Sequence, residues 1–77
     1  MTRYETTRYT VSQDRIGHYV ISATDGTGSV YLQGDDARIF RDEVSAIEDV
    51  AGPTGKLFNR LLNQMCDEYP LELQFAA

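Results

Sequence analysis

The sequence predicts an α+β domain: a three-stranded antiparallel meander followed by two helices packed on one face of the sheet, in the order β-β-β-α-α. Three observations carry this prediction. The first third of the chain is rich in Thr, Tyr and Val and alternates with period two. Its connections, above all Asp25-Gly26-Thr27-Gly28, are hairpin turns too short for a parallel crossover. From Asp35 onward the apolar residues switch to spacings of three and four, broken at Gly52-Pro53.

The elements follow in order. Arg3 to Ser12 reads as the first strand, with Thr7, Tyr9 and Val11 on one face and Arg8, Thr10 and Ser12 on the other. Gln13 to Gly17 reads as a turn in which Gly17 supplies positive φ. His18 to Thr24 is the second strand; Tyr19, Ile21 and Ala23 share one face, His18, Val20 and Ser22 the other. Ser29 to Gln33 is the third, with Val30 and Leu32 opposed to Tyr31. The face left open by the helices is expected to carry Arg8, His18, Val20 and Tyr31.

Gly34-Asp35-Asp36 closes the sheet and opens a helix, with Asp35 read as its N-cap and Asp36 placed to complement the dipole. Ala37, Phe40, Val44, Ile47 and Ala51 fall within an arc of about 80° at 100° per residue, and Ile39, Ala46 and Val50 widen it on one side. Thr54 is read as the cap of a second helix, from about Gly55 to Tyr69, that Pro70 ends. Leu57, Phe58, Leu61, Leu62, Met65 and Tyr69 form its apolar stripe, with Cys66 at the margin. Residues 71–75 alternate again, and read either as a short edge strand or as an apolar tail across the helices.

A chain of 77 residues is one domain, 1–77. With 12 acids against 7 bases the net charge is −5, which disfavours direct nucleic-acid binding. The acids cluster. Asp35, Asp36, Asp42, Glu43, Glu48 and Asp49 face only Arg38 and Arg41 between residues 35 and 49. This segment reads as a solvated helix face or as an acidic patch for a basic partner. The lone Cys66 excludes an internal disulfide and points to a reducing cytoplasm. No signal-peptide pattern opens the chain, and no apolar run reaches the length of a membrane span.

Catalytic groups are sparse. One His and one Cys allow at most a His18–Cys66 pair, read instead as a surface imidazole and a buried small hydrophobe. Zinc spacing cannot be met within one chain, and no calcium-loop pattern surrounds Asp35 and Asp36. Gly52-Pro53-Thr54-Gly55-Lys56-Leu57 has Leu57 where a P-loop needs Ser or Thr, and reads as a helix–helix connection. Neither catalysis nor a cofactor or metal is expected.

Two features break their own patterns. Glu43 lies between Ile39 and Phe40 in angle, inside the widened apolar arc. It is read either as a rim residue paired with Lys56 or Arg60, or as part of a partner-facing edge with Ile39 and Val50. Glu48 and Asp49 near the helix C-terminus oppose the dipole, as acids serving binding rather than folding would. Tyrosines also make up five of the eight aromatics, and Tyr suits surfaces that are dry on one side and wet on the other. The candidate partner-binding set is therefore Asp42, Glu43, Glu48, Asp49 and Tyr31.

The profile resembles that of the small accessory proteins of phages and mobile elements, the anti-CRISPR proteins in particular. The stretch Val30-Tyr31-Leu32-Gln33-Gly34-Asp35-Asp36-Ala37, with Phe40 and Asp42-Glu43, is similar to a strand-to-helix junction of small proteobacterial phage and integrative-element reading frames; it covers about residues 28–43. Anti-CRISPR proteins share no common motif, so no residue role transfers. The resemblance implies a stoichiometric inhibitor in the bacterial host cytoplasm that occupies the basic surface of a Cas subunit, without touching nucleic acid or membrane. The alternatives are a homo-oligomeric structural or regulatory module, such as a homodimer paired through the open sheet face or an edge strand, and a minimal enzyme built on His18 and Cys66.

Overall fold

A computed structural model describes residues 2–69. It contains β1 (Thr2–Glu5), β2 (Tyr9–Gln13), β3 (Tyr19–Ala23), β4 (Ser29–Leu32), α1 (Gly34–Ala51) and α2 (Lys56–Asp67). The strands form one antiparallel sheet in the order β1-β2-β3-β4. The α+β architecture with an antiparallel sheet and two helices is as the sequence predicts, but the sheet has four strands. Residues 71–75, where an extra strand was a possibility, lie outside the described residues.

The additional strand arises because the run from Arg3 to Ser12 folds back on itself. Thr6 makes the reversal: its hydroxyl oxygen accepts the N–H groups of Arg8 at 3.3 Å and Tyr9 at 2.9 Å, while its own N–H donates to the Tyr9 carbonyl at 2.8 Å. Threonine suits strands and side-chain-driven turns alike, so nothing local marks the break. The marking comes from α2. The buried Asn63 accepts the Thr6 hydroxyl at 2.5 Å and donates to the Thr7 hydroxyl at 3.0 Å, and Asn59 accepts the Thr7 N–H at 2.9 Å. Asn63→Leu is expected to lower stability by about 1–3 kcal/mol in urea denaturation, because it strips the turn of its internal partners.

Register places Tyr4, Val11, Ile21 and Val30 in one row across the four strands, and Tyr19 opposite Leu32 in the next. These side chains face the helices. Ser12, Val20 and Tyr31, with Thr10, Ser22 and Ser29, occupy the other face, so the predicted parity of β3 and β4 holds. Arg8, expected on that face, stands in the β1–β2 turn instead. At the β2–β3 turn the Asp14 carboxylate accepts the N–H groups of Ile16 and His18, both at 2.9 Å, and Gly17 takes φ 94°.

Both helix starts differ from expectation. Gly34, with φ 60°, turns the chain two residues after the buried Leu32, so α1 begins there; Gln33 is its N-cap and provides no side-chain bond. Asp35 and Asp36 lie in the first turn, where their charge suits the dipole. In α2 the N-cap is Gly55 at φ 105°, not Thr54, and the helix ends at Asp67 rather than Tyr69.

The core joins Val11, Tyr19, Ile21 and Leu32 of the sheet to Ala37, Phe40 and Val44 of α1 and Phe58, Leu62, Met65 and Cys66 of α2. Phe40 is its centre, with ring centroids 5.1 Å from Tyr19 and 5.8 Å from Tyr69. The narrow arc read for α1 is the buried one, with Ile47 and Ala51 packed at its edge. The widening residues are not buried: Ile39 is 47% exposed, Val50 is 75% exposed, and Ala46 is open as well.

Asp67 ties the end of α2 to the sheet, accepting the Tyr9 hydroxyl at 2.5 Å and Arg8 Nη2 at 2.8 Å. The Tyr9 bond, chiefly, holds the Asp67 carboxyl below its ordinary value and, with burial, pushes the Tyr9 phenol up to about 12. Asp25 is lowered by the Thr27 hydroxyl and N–H. Asp14 is pulled up by desolvation but down by the N–H groups of His18 and Ile16 and by the Tyr31 hydroxyl, with a net fall. A carboxyl lowered in the fold stabilises it above the unfolded value of 3.8, and that contribution fades as pH falls through the folded value. The urea midpoint is expected to stay level down to about pH 5 and then to fall below about pH 4. Asp67→Asn should lower the midpoint at neutral pH and make the acid decline shallower.

Candidate binding surface

Helix α1 carries four of the five candidate residues, and packing separates them. Glu48 is half-buried and accepts the Tyr4 hydroxyl at 2.8 Å, so it joins α1 to β1. Burial first, and then this bond and the Glu48 charge, raise the Tyr4 phenol above its ordinary value. Asp42, Glu43 and Asp49 are exposed. Asp42 has only Arg41, at 4.0 Å, and among the described residues no cation lies within 4.0 Å of Glu43 or Asp49. The pairing of Glu43 with Lys56 or Arg60 is not formed.

Glu43 instead stands at the mouth of a groove between the helices. Ala46 and Ile47 of α1 and Leu61 and Met65 of α2 supply its apolar walls, Gln64 and Glu68 complete it, and it encloses about 320 Å³. Burial first, and next the Glu43 charge, push the Tyr69 phenol up to about 12. Ile39, Glu43 and Val50 fall within about 40° of one another on the helix, so the open apolar side chains flank the groove on the same side as its carboxylate. Asp42 and Asp49 border them on the outer face. An apolar strip between carboxylates is suited to cover the stem of a long basic side chain and pair with its head.

Tyr31 does not join this surface. It precedes the buried Leu32 and therefore points to the opposite face of the sheet, 47% exposed, where its hydroxyl meets Asp14 at 3.2 Å and His18 Nδ1 at 2.5 Å. The His18–Cys66 pair is not formed either. Cys66 is fully buried in the core, and burial drives its thiol up to about 12, while His18 lies in the group with Tyr31 and Asp14. Among the described residues no three His, Cys, Asp or Glu side chains gather as a metal site, and no helix is long and apolar enough to cross a membrane.

The buried Asn63 is not legible in the sequence because it lies about 100° beyond Leu62, outside the apolar stripe of α2; the face that α2 buries is turned past Cys66 toward it, leaving Leu57 40% exposed. The Thr6-Thr7 pair facing it is the only trace of its role. The chain matches no protein-family model, no curated protein and no solved structure.

Proposed function

We propose that this protein is a non-enzymatic acidic binding protein that inhibits a nucleic-acid-handling complex of a bacterial host, a CRISPR effector first among them, by occupying a basic surface on one of its subunits. One observation carries the reading: α1 leaves Ile39 and Val50 open beside Glu43 and Asp49, two carboxylates with no cation within 4.0 Å among the described residues. Folding gains nothing from this arrangement. The apolar side chains stay wet, and Asp49 sits in a last turn that has no basic residue to answer the dipole. A partner whose Arg and Lys side chains normally hold phosphates would gain from both. The carboxylates replace phosphate oxygens as acceptors, and the strip excludes water around the new pairs.

Such a protein acts in the bacterial cytoplasm as a stoichiometric inhibitor and needs no cofactor. Its association is steered by charge and weakens with salt. The test mixes the purified protein with guide-loaded effector complexes of several types and measures target-DNA binding and co-elution on a sizing column. One effector is expected to lose DNA binding at stoichiometric protein and to release the protein as salt rises. Full DNA binding by every effector, with no co-elution at low salt, overturns the CRISPR reading.

A further inference from the structure

We propose that the hollow between the β2–β3 turn and the start of α1 binds a small organic phosphate monoester. It encloses about 350 Å³, at the small end of the usual range for ligand sites, and lies on the flank of α1 away from the inter-helix groove. Arg38 and Arg41 line it from α1, and Gly17 and His18 border it from the β2–β3 turn, with the His18 imidazole turned to Tyr31 and Asp14 on the other face of the sheet. Two of the seven Lys and Arg residues thus meet at one concavity in a chain of net charge −5, with Asp35 at its border beside Arg38.

The cations there are weakly engaged. Arg38 has one contact of 3.4 Å to Asp35, between side chains 60% and 88% exposed, and Arg41 comes no nearer than 4.0 Å to Asp42. Exposed pairs of this kind hold little energy, so both guanidinium groups can turn to a doubly charged oxyanion. Arg8, by contrast, is bonded to Asp67 at 2.8 Å. The helix contributes too: Gly34 forms part of the wall, and the first turn of α1 has no side-chain cap for its free N–H groups.

The remaining wall selects an organic body over a bare ion. Tyr19 and Ala37 lie in it, and Ile16, 78% exposed, stands at its border with no apolar role in the fold. A short apolar or aromatic group attached to the phosphate would cover Ile16 while its oxygens meet the two arginines. Asp35 must give up Arg38 when the ligand enters, which sets a modest affinity.

Isotope-labelled protein is titrated with phenyl phosphate, inorganic phosphate and phenol while backbone amide shifts are followed by NMR. Saturable shifts confined to residues 13–19 and 34–41 are expected with phenyl phosphate, weaker binding with inorganic phosphate, and none with phenol. The double variant Arg38→Gln, Arg41→Gln should bind phenyl phosphate about tenfold less tightly or worse, with an unchanged melting temperature. If that variant melts early, Arg41→Lys, which keeps the charge but loses the fork, should still weaken binding. The proposal is overturned by an absence of saturation, by equal binding of the two phosphates, by shifts centred on Lys56 and Arg60, or by unaltered affinity in both variants.

Discussion

Phe40→Ala is expected to leave the protein largely unfolded at room temperature. Phe40 is fully buried and is the ring on which both layers meet, with Tyr19 of β3 on one side and Tyr69 after α2 on the other. Truncating a buried Phe costs about 3–5 kcal/mol, the lost transfer energy plus the cavity left behind. A domain of this size has roughly 4–12 kcal/mol in all, and short chains sit toward the low end because they bury a smaller share of their surface. Circular dichroism through a thermal and a urea series would show the variant without a cooperative transition, or with one displaced far down. Phe40→Leu, which keeps most of the volume, should retain the transition. A melting curve for Phe40→Ala that overlays the parent would mean that α1 does not cover the sheet through this residue.

The double reversal Glu43→Lys, Asp49→Lys is expected to cut affinity for the basic partner about 100-fold, within the range for losing close interfacial charge pairs. Its effect on folding has the opposite sign. Both side chains are exposed and without a cation partner among the described residues, and a lysine in the last turn of α1 suits the dipole there. That turn should gain about 0.3–1 kcal/mol. Weaker binding by a slightly more stable protein is hard to produce by misfolding, which makes the pair of measurements decisive. Glu5→Lys serves as the control, since it is an exposed residue of β1 outside the α1 surface, and each such reversal changes net charge by the same step. It should reduce binding only a few-fold, through the long-range field. Equal losses from Glu5→Lys and from Glu43→Lys alone would mean that net charge, and not this surface, is what the partner senses.

The two groups of acids show how far a helix wheel reaches. Glu43 stood out in the sequence because it interrupts an apolar arc, and the structure places it at the groove beside Ile39 and Val50. Glu48 reads with Asp49 as an acid near the helix C-terminus, yet it lies about 20° from Ala37 at the edge of the buried arc, and there Tyr4 from β1 turns it into a structural contact. Likewise, the wheel shows that α1 has apolar residues over a wide arc but cannot say how much of that arc a sheet and a second helix will cover. Here Phe40 and Val44 are covered and Val50 is left open.

Local chemistry determined the order of elements, the parity of β3 and β4, the Asp14 and Asp25 turns and the buried stripe of α1, because alternation, helical spacing and turn-forming side chains each act over a few residues. Tertiary structure alone decided the division of the first strand, where Asn59 and Asn63 of α2 hold the Thr6-Thr7 turn across more than fifty residues of sequence. It also decided which side of the sheet meets the helices, and so parted Tyr31 from the acids of α1. It brought Arg38 and Arg41 of α1 to one hollow beside the β2–β3 turn. All of these depend on contacts between layers, whose partners are set by packing and are invisible to any window along the chain.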